Sequence, residues 1–129
     1  MLIELEKGDC FTICLWAEDD GTCEAQDFLE DLRDGGKRQK QDYQVLKEHR
    51  IPRMAQHGVI YNEEQSKELE DGIFEFKASG GARLLWFYDK TQRRVVICTH
   101  GFFKPPSNRG YKPQTAKAKA IRKRYMIND

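Results

Sequence analysis

Most of the residues in this chain that could do chemistry are cations, and they are unevenly placed. Residues 93–129 hold 10 Lys/Arg against one acid, Asp129, a balance of +9, while residues 1–92 hold 12 Lys/Arg against 20 Asp/Glu, a balance of −8. The whole chain sums to only +1. A split of this kind implies a positive face directed at phosphates or at an acidic partner. Lys117, Lys119, Arg122, Lys123 and Arg124 crowd into one short stretch with no acid among them. The bland reading is a solvated helix face; the functional one is a polyanion surface. On such a surface each phosphate neutralised would steepen the salt dependence by roughly 0.7–0.9 log units per log unit of salt. His100 adds a group able to titrate near neutrality, with a structural strand-end histidine as its alternative.

Other chemistries find little support. Cys10 and Cys14 have a usable metal-ligand spacing and Cys23 is near, but no second compact Cys/His pair completes a site. No metal is expected, and the thiols read as small buried hydrophobes. Ser79-Gly80-Gly81 lacks the lysine spacing of a phosphate-cradling loop, no Ser-His-Asp arrangement stands out, and no small-molecule cofactor is implied. No apolar run approaches the ~20 residues of a membrane span, and Met1-Leu2-Ile3-Glu4 does not open like a signal peptide. Four cysteines without such a signal lead us to expect reduced thiols and a cytoplasmic protein. At 129 residues and 39% hydrophobic, residues 1–129 read as a single domain with a core of its own.

The elements that must position the cations centre on residues 74–106. Ile73, Phe74 and Phe76 alternate with Glu75 and Lys77, a short half-buried strand broken by Ser79-Gly80-Gly81. Leu84 to Tyr88 is an aromatic and branched run, Asp89-Lys90-Thr91-Gln92 supplies turn chemistry, and Val95, Val96, Ile97 and Cys98 suit a central strand. Earlier, residues 1–9 read as a short polar start, and Phe11, Ile13 and Leu15 share one face of a first strand over residues 10–16. Thr22 is the expected N-cap of a helix over residues 24–33, with Ala25, Phe28, Leu29 and Leu32 as its apolar stripe. A second helix from about Gln39 carries Tyr43, Val45 and Leu46. Pro52 kinks it or starts a third piece that ends at His57-Gly58. Residues 59–71 read as an acidic connector. After the strands come a loop over residues 101–113 and a basic helix over residues 114–126, with Ala116, Ala120, Ile121 and Tyr125 facing inward.

The order and spacing of several short motifs in this arrangement resemble the RelE superfamily of bacterial toxins, and within it the HigB-like, phage-derived branch. The motifs are Gly72-Ile73-Phe74-Glu75-Phe76-Lys77, the Ser-Gly-Gly turn into Arg83, and the aromatic strand ending at Tyr88. They continue with His100-Gly101-Phe102-Phe103-Lys104, then Lys112-Pro113 opening a helix with Ala116 and Ala120. Where many relatives carry Lys-Lys after the Gly-Phe, this chain has Lys104-Pro105-Pro106.

The resemblance implies an α+β fold: a small, twisted, mostly antiparallel sheet with N-terminal helices on one face, a basic cleft on the other, and a C-terminal basic helix. It also implies a toxin of a type II toxin–antitoxin module that cuts mRNA as a metal-independent endoribonuclease, on or near the ribosome, with a cognate antitoxin as partner. Such cleavage needs an acceptor for the 2′-hydroxyl proton, charge to stabilise the phosphorane, and a donor for the leaving oxygen. By resemblance Arg83 is the phosphate-binding arginine, with Lys104 beside it in stabilising the transition state. Lys77, His100 and Tyr111 take supporting catalytic roles. Arg109, Lys112, Lys117, Lys119, Arg122, Lys123 and Arg124 are the expected RNA-binding residues. Glu75 is either a general base or a plain cross-strand ion pair. Two rivals remain: a ParE-like poison of a protein target, and a phage nucleic-acid-binding protein without cleavage.

Overall fold

Two side-chain periodicities, near 2 for strands and near 3.6 for helices, generate most of the elements seen in the computed structural model, which describes residues 1–58 and 62–128. In chain order these are β1 (Leu2–Lys7), β2 (Thr12–Trp16), α1 (Glu24–Arg33), α2 (Lys37–Gln44), a π-helical segment (Val45–Arg50) and α3 (Ile51–His57). There follow β3 (Ser66–Glu70), β4 (Ile73–Lys77), β5 (Ala82–Tyr88), β6 (Val95–Phe103), a 3-10 turn (Asn108–Gly110) and α4 (Tyr111–Asn128). Among the described residues the strands form one sheet in the order β1-β2-β6-β5-β4-β3. Neighbours are antiparallel except β2 and β6, which run parallel. A parallel pair needs a long crossover, and the helices between β2 and β6 lie within it. The architecture is α+β.

α1, α2 and α3 cover one face of the sheet. Ala25, Leu29, Leu32, Leu46, Ile51 and Met54 meet Ile13, Leu15, Phe76, Leu84, Trp86 and Val96 there. Pro52 sits in the first turn of α3, where its missing N–H is no loss, so the helix continues through the π segment with a local irregularity. The 95–98 run lies in β6, third of the six strands in sheet order, as its β-branched composition predicts.

The structure corrects several expectations. Residues 1–9 are more than a short polar start, because β1 pairs with β2 along most of its length. The acidic connector contains β3, which pairs with β4 from Ser66 to Glu70; its residues 59–61 lie outside the described residues. Both strands are edges whose partner supplies the backbone order, so their own alternation is weak. The N-cap of α1 is Cys23 rather than Thr22.

The far face is not simply an open cleft. α4 lies across it, with Ala118 and Ile121 buried against Trp16, Ile73, Leu85, Phe87 and Ile97. The inward stripe of α4 is Thr115, Ala118, Ile121 and half-buried Tyr125, while Ala116 and Ala120 face solvent. The helix also begins at Tyr111, earlier than its composition suggests, with Pro113 in its first turn. Part of this face stays accessible beyond the N-terminal end of α4.

Candidate functional site

The register of β4 against β5 builds the floor of that accessible part. Lys77 stands opposite Arg83 and Glu75 opposite Leu85, so Glu75, Lys77 and Arg83 share the face on which α4 lies. Glu75 Oε2 is 3.8 Å from Arg83 Nε across the strands, with the two side chains only 3% and 7% exposed. Arg83 is therefore not a solvated strand-end arginine. Its Nη1 donates to the carbonyls of Ala78 (2.8 Å) and Ala82 (3.0 Å), and its Nε donates to Tyr111 Oη at 3.3 Å. Tyr111 is held edge-on against Phe102 at 5.6 Å.

A cleft of about 420 Å³ opens above this pair. β3 contributes Lys67, Leu69 and Glu70 to its wall, β4 and β5 contribute Glu75, Lys77 and Arg83, and the segment into α4 contributes Lys104, Asn108, Tyr111, Lys112 and Thr115. Five cations thus face two carboxylates. One of these, Glu70, is already engaged: it accepts a hydrogen bond from Thr115 Oγ1 at 2.9 Å and lies 3.3 Å from Lys119 Nζ. Lys77 Nζ donates to the Glu63 carbonyl at 3.0 Å on the rim. The net field in the cleft is positive, and low-dielectric walls strengthen it.

Burial pushes the Glu75 carboxyl above the usual carboxylate range, opposed by the positive charges of Arg83 and then Lys77 and by the Tyr111 hydroxyl. Its Oε2 is buried and accepts no hydrogen bond from the described residues. Such a carboxylate is more basic than a surface one. Burial likewise raises the Tyr111 phenol, with the hydrogen bond from Arg83 working against it.

Of the residues singled out in the sequence, the fold brings Arg83, Lys77, Lys104, Tyr111 and Lys112 together around one cleft. It keeps others apart. His100 is 2% exposed under α4, its Nδ1 3.0 Å from Thr99 Oγ1 and its Nε2 2.9 Å from Gln114 Oε1. Burial lowers its pKa below the ordinary 6.5, and a neutral ring donating from Nε2 and accepting at Nδ1 satisfies both partners. Arg109 is exposed on the 3-10 turn and does not line the cleft.

Four of the five cations between Lys117 and Arg124 meet partners from elsewhere in the chain. Lys117 pairs with Glu24. Lys119 reaches Asp71 at 2.8 Å as well as Glu70, and Arg122 donates to the Asp71 carbonyl at 2.6 Å. Arg124 pairs with Glu18 at 3.3 Å and stacks 4.8 Å above the Trp16 ring. Lys123 is exposed. Much of the charge split visible in the sequence is therefore met within the molecule. Lys67 and Asn108 are cleft residues that sequence reasoning missed. Lys67 belongs to a strand whose composition hides it, and Asn108 to a loop with no periodicity.

A model of the family described as phage-derived protein Gp49-like (DUF891) matches residues 37–124, a span that contains every residue lining the cleft. No curated protein matches the chain.

Proposed function

We propose a function from one premise: this chain belongs to the phage-derived Gp49-like family. Our reading is a toxin of a type II toxin–antitoxin module that cleaves mRNA, with the cleft over the Arg83–Glu75 pair as its active site. The observation that carries it is the pairing of a buried guanidinium with a carboxylate of raised basicity at the floor of a cation-lined cleft. Burying both charges is expensive for stability alone, which favours a functional reason for keeping them.

In this reading an RNA phosphate enters over Arg83, whose planar fork suits two phosphate oxygens. Lys77, Lys104 and Lys112 neutralise the flanking charge. Glu75 accepts the proton of the 2′-hydroxyl as that oxygen bonds to phosphorus. The bond from phosphorus to the 5′-oxygen breaks, and Lys104 returns a proton to the departing oxygen. The products are a 2′,3′-cyclic phosphate and a 5′-hydroxyl end. Tyr111 holds the Arg83 Nε in line. Lys67 and Asn108 extend the binding wall, and the ribosome and a cognate antitoxin are the expected partners.

The test is induced expression of the wild type beside an Arg83→Ala/Lys104→Ala double variant, with primer extension on cellular messages. Growth arrest with new 5′ ends from the wild type alone supports the reading. Arrest by both proteins without new ends sinks it in favour of a protein poison, and salt-sensitive RNA binding without scission does so in favour of a binding protein.

A further inference from the structure

We propose that Asp42, on α2, is a positioning residue for the cleft, because its carboxylate fixes the β4–β5 turn on which Arg83 and Lys104 are both seated. Its consequence for catalysis rests on the ribonuclease reading; the clamp itself rests on geometry alone.

Asp42 is 2% exposed, and both of its oxygens are taken by one turn of a different element. Oδ1 accepts from the Gly80 N–H at 2.8 Å and Oδ2 from the Ala82 N–H at 3.0 Å. A buried carboxylate is tolerated only where strong donors fill it, and two backbone amides do so here. The approach is close enough to explain the glycine: a Cβ on Gly80 would lie 2.4 Å from Asp42 Oδ1.

The turn does not need Asp42 in order to close. Ala78 N–H already donates to Ala82 O at 3.0 Å, and Gly81 N–H to Ala78 O at 3.1 Å. What the carboxylate adds is a fixed position of the turn relative to the helical layer. That position matters because the carbonyls gripped by Arg83 Nη1 are those of Ala78 and Ala82, the two ends of the same turn. The Lys104 N–H donates to the Gly81 carbonyl at 2.7 Å, so the loop carrying Lys104 hangs from it as well. On the β4 side, Arg50 Nε donates to the Lys77 carbonyl at 3.0 Å, a second tie between the same helical stretch and the same hairpin. A shift of this turn moves the guanidinium and the Lys104 backbone together.

The test uses the purified full chain and a messenger RNA, presented free and on purified ribosomes. Asp42→Asn keeps the size and one acceptor but presents a donor where an amide must be accepted. The expected result is a fall in kcat of about 10- to 100-fold with KM within about threefold, as for a misplacement of reacting groups. In an Arg83→Lys background, where the fork that grips the turn is already lost, the same change produces a much smaller further fall. An equal fall in both backgrounds overturns the proposal. A second readout needs no activity: the Glu75 carboxyl is titrated by carbon-13 NMR. Displacing Arg83, whose charge opposes the effect of burial on Glu75, moves the Glu75 midpoint upward, and an unchanged midpoint overturns the proposal. If the wild type cleaves RNA neither free nor on ribosomes, the ribonuclease reading fails, and the Glu75 titration alone decides between the clamp and its absence. Gly80→Ala presses on the same contact from the strand side and gives the same shift. Loss of cooperative unfolding in both variants also overturns the proposal, because it makes Asp42 a residue of general stability.

Discussion

The molecule carries two cationic regions that look alike in the sequence and differ in the fold. In the cleft, Arg83 is almost wholly buried against a single carboxylate, with lysines around it that no acid of the cleft neutralises in full. On α4, Lys117, Lys119 and Arg124 are each matched by an acid from the N-terminal half or β3, in pairs that stay largely in water. The difference teaches that cation density along a chain does not locate free positive charge. Exposed pairs of this kind contribute little to stability, whereas a buried charge is held by its partner or not at all.

The change that strains this contrast most is Arg83→Ala. RNA cleavage should fall by about 100- to 1,000-fold, as on losing one preorganised electrostatic donor. Removing one member of the buried pair should also cost about 3–5 kcal/mol, read from urea unfolding at pH 7. Adding Glu75→Gln should return part of that stability and none of the activity. Equal stability of the Arg83→Ala variant and the wild type would show that the pair is solvated.

Lys104→Ala should separate function from folding. Lys104 is exposed, so stability should hold within about 0.5 kcal/mol. Cleavage should fall by about 10- to 100-fold, within the range of a lost acid–base group.

His100 sharpens the contrast from the other side, as a buried titratable group that faces α4 rather than the cleft. Its folded pKa lies below the ordinary 6.5, so the stability it contributes is fully present above pH 6.5. That contribution is lost as pH falls from there through the folded value, because the unfolded chain takes up the proton first. Thermal melts between pH 7.5 and 5 should show this decline. His100→Gln should flatten it while leaving the pH profile of cleavage unchanged.

The smallest effect belongs to α4. Lys117→Gln or Arg124→Gln should alter stability by about 0–1 kcal/mol and less still at high salt, measured by thermal melts with and without added sodium chloride. A loss of cleavage comparable to that of Lys104→Ala would make the helix part of the catalytic surface and dissolve the contrast.

Much of the fold was legible because local pattern and tertiary demand agree there. The stripe Ala25, Leu29 and Leu32 lies where helical periodicity puts it, and the runs that became β4, β5 and the start of β6 carry their own alternation or β-branching. The stripe of α4 could not be read to the residue. Alanines at positions 116, 118 and 120 carry the same signal, and only packing against Leu85 and Ile97 selected Ala118. Edge strands β1 and β3 were invisible for a related reason, since a strand paired on one side takes its order from its neighbour.

By itself the sequence determined the amphipathic elements and the α+β class, because these follow from side-chain spacing within a few residues. It also held the charge split, and the residue types that RNA chemistry would use. Only the tertiary structure decided which cations are free. Register set Arg83 against Glu75, α4 lay across the middle of its face, and acids distant in sequence met the helix. Each of these depends on contacts between residues far apart along the chain, which no local pattern encodes.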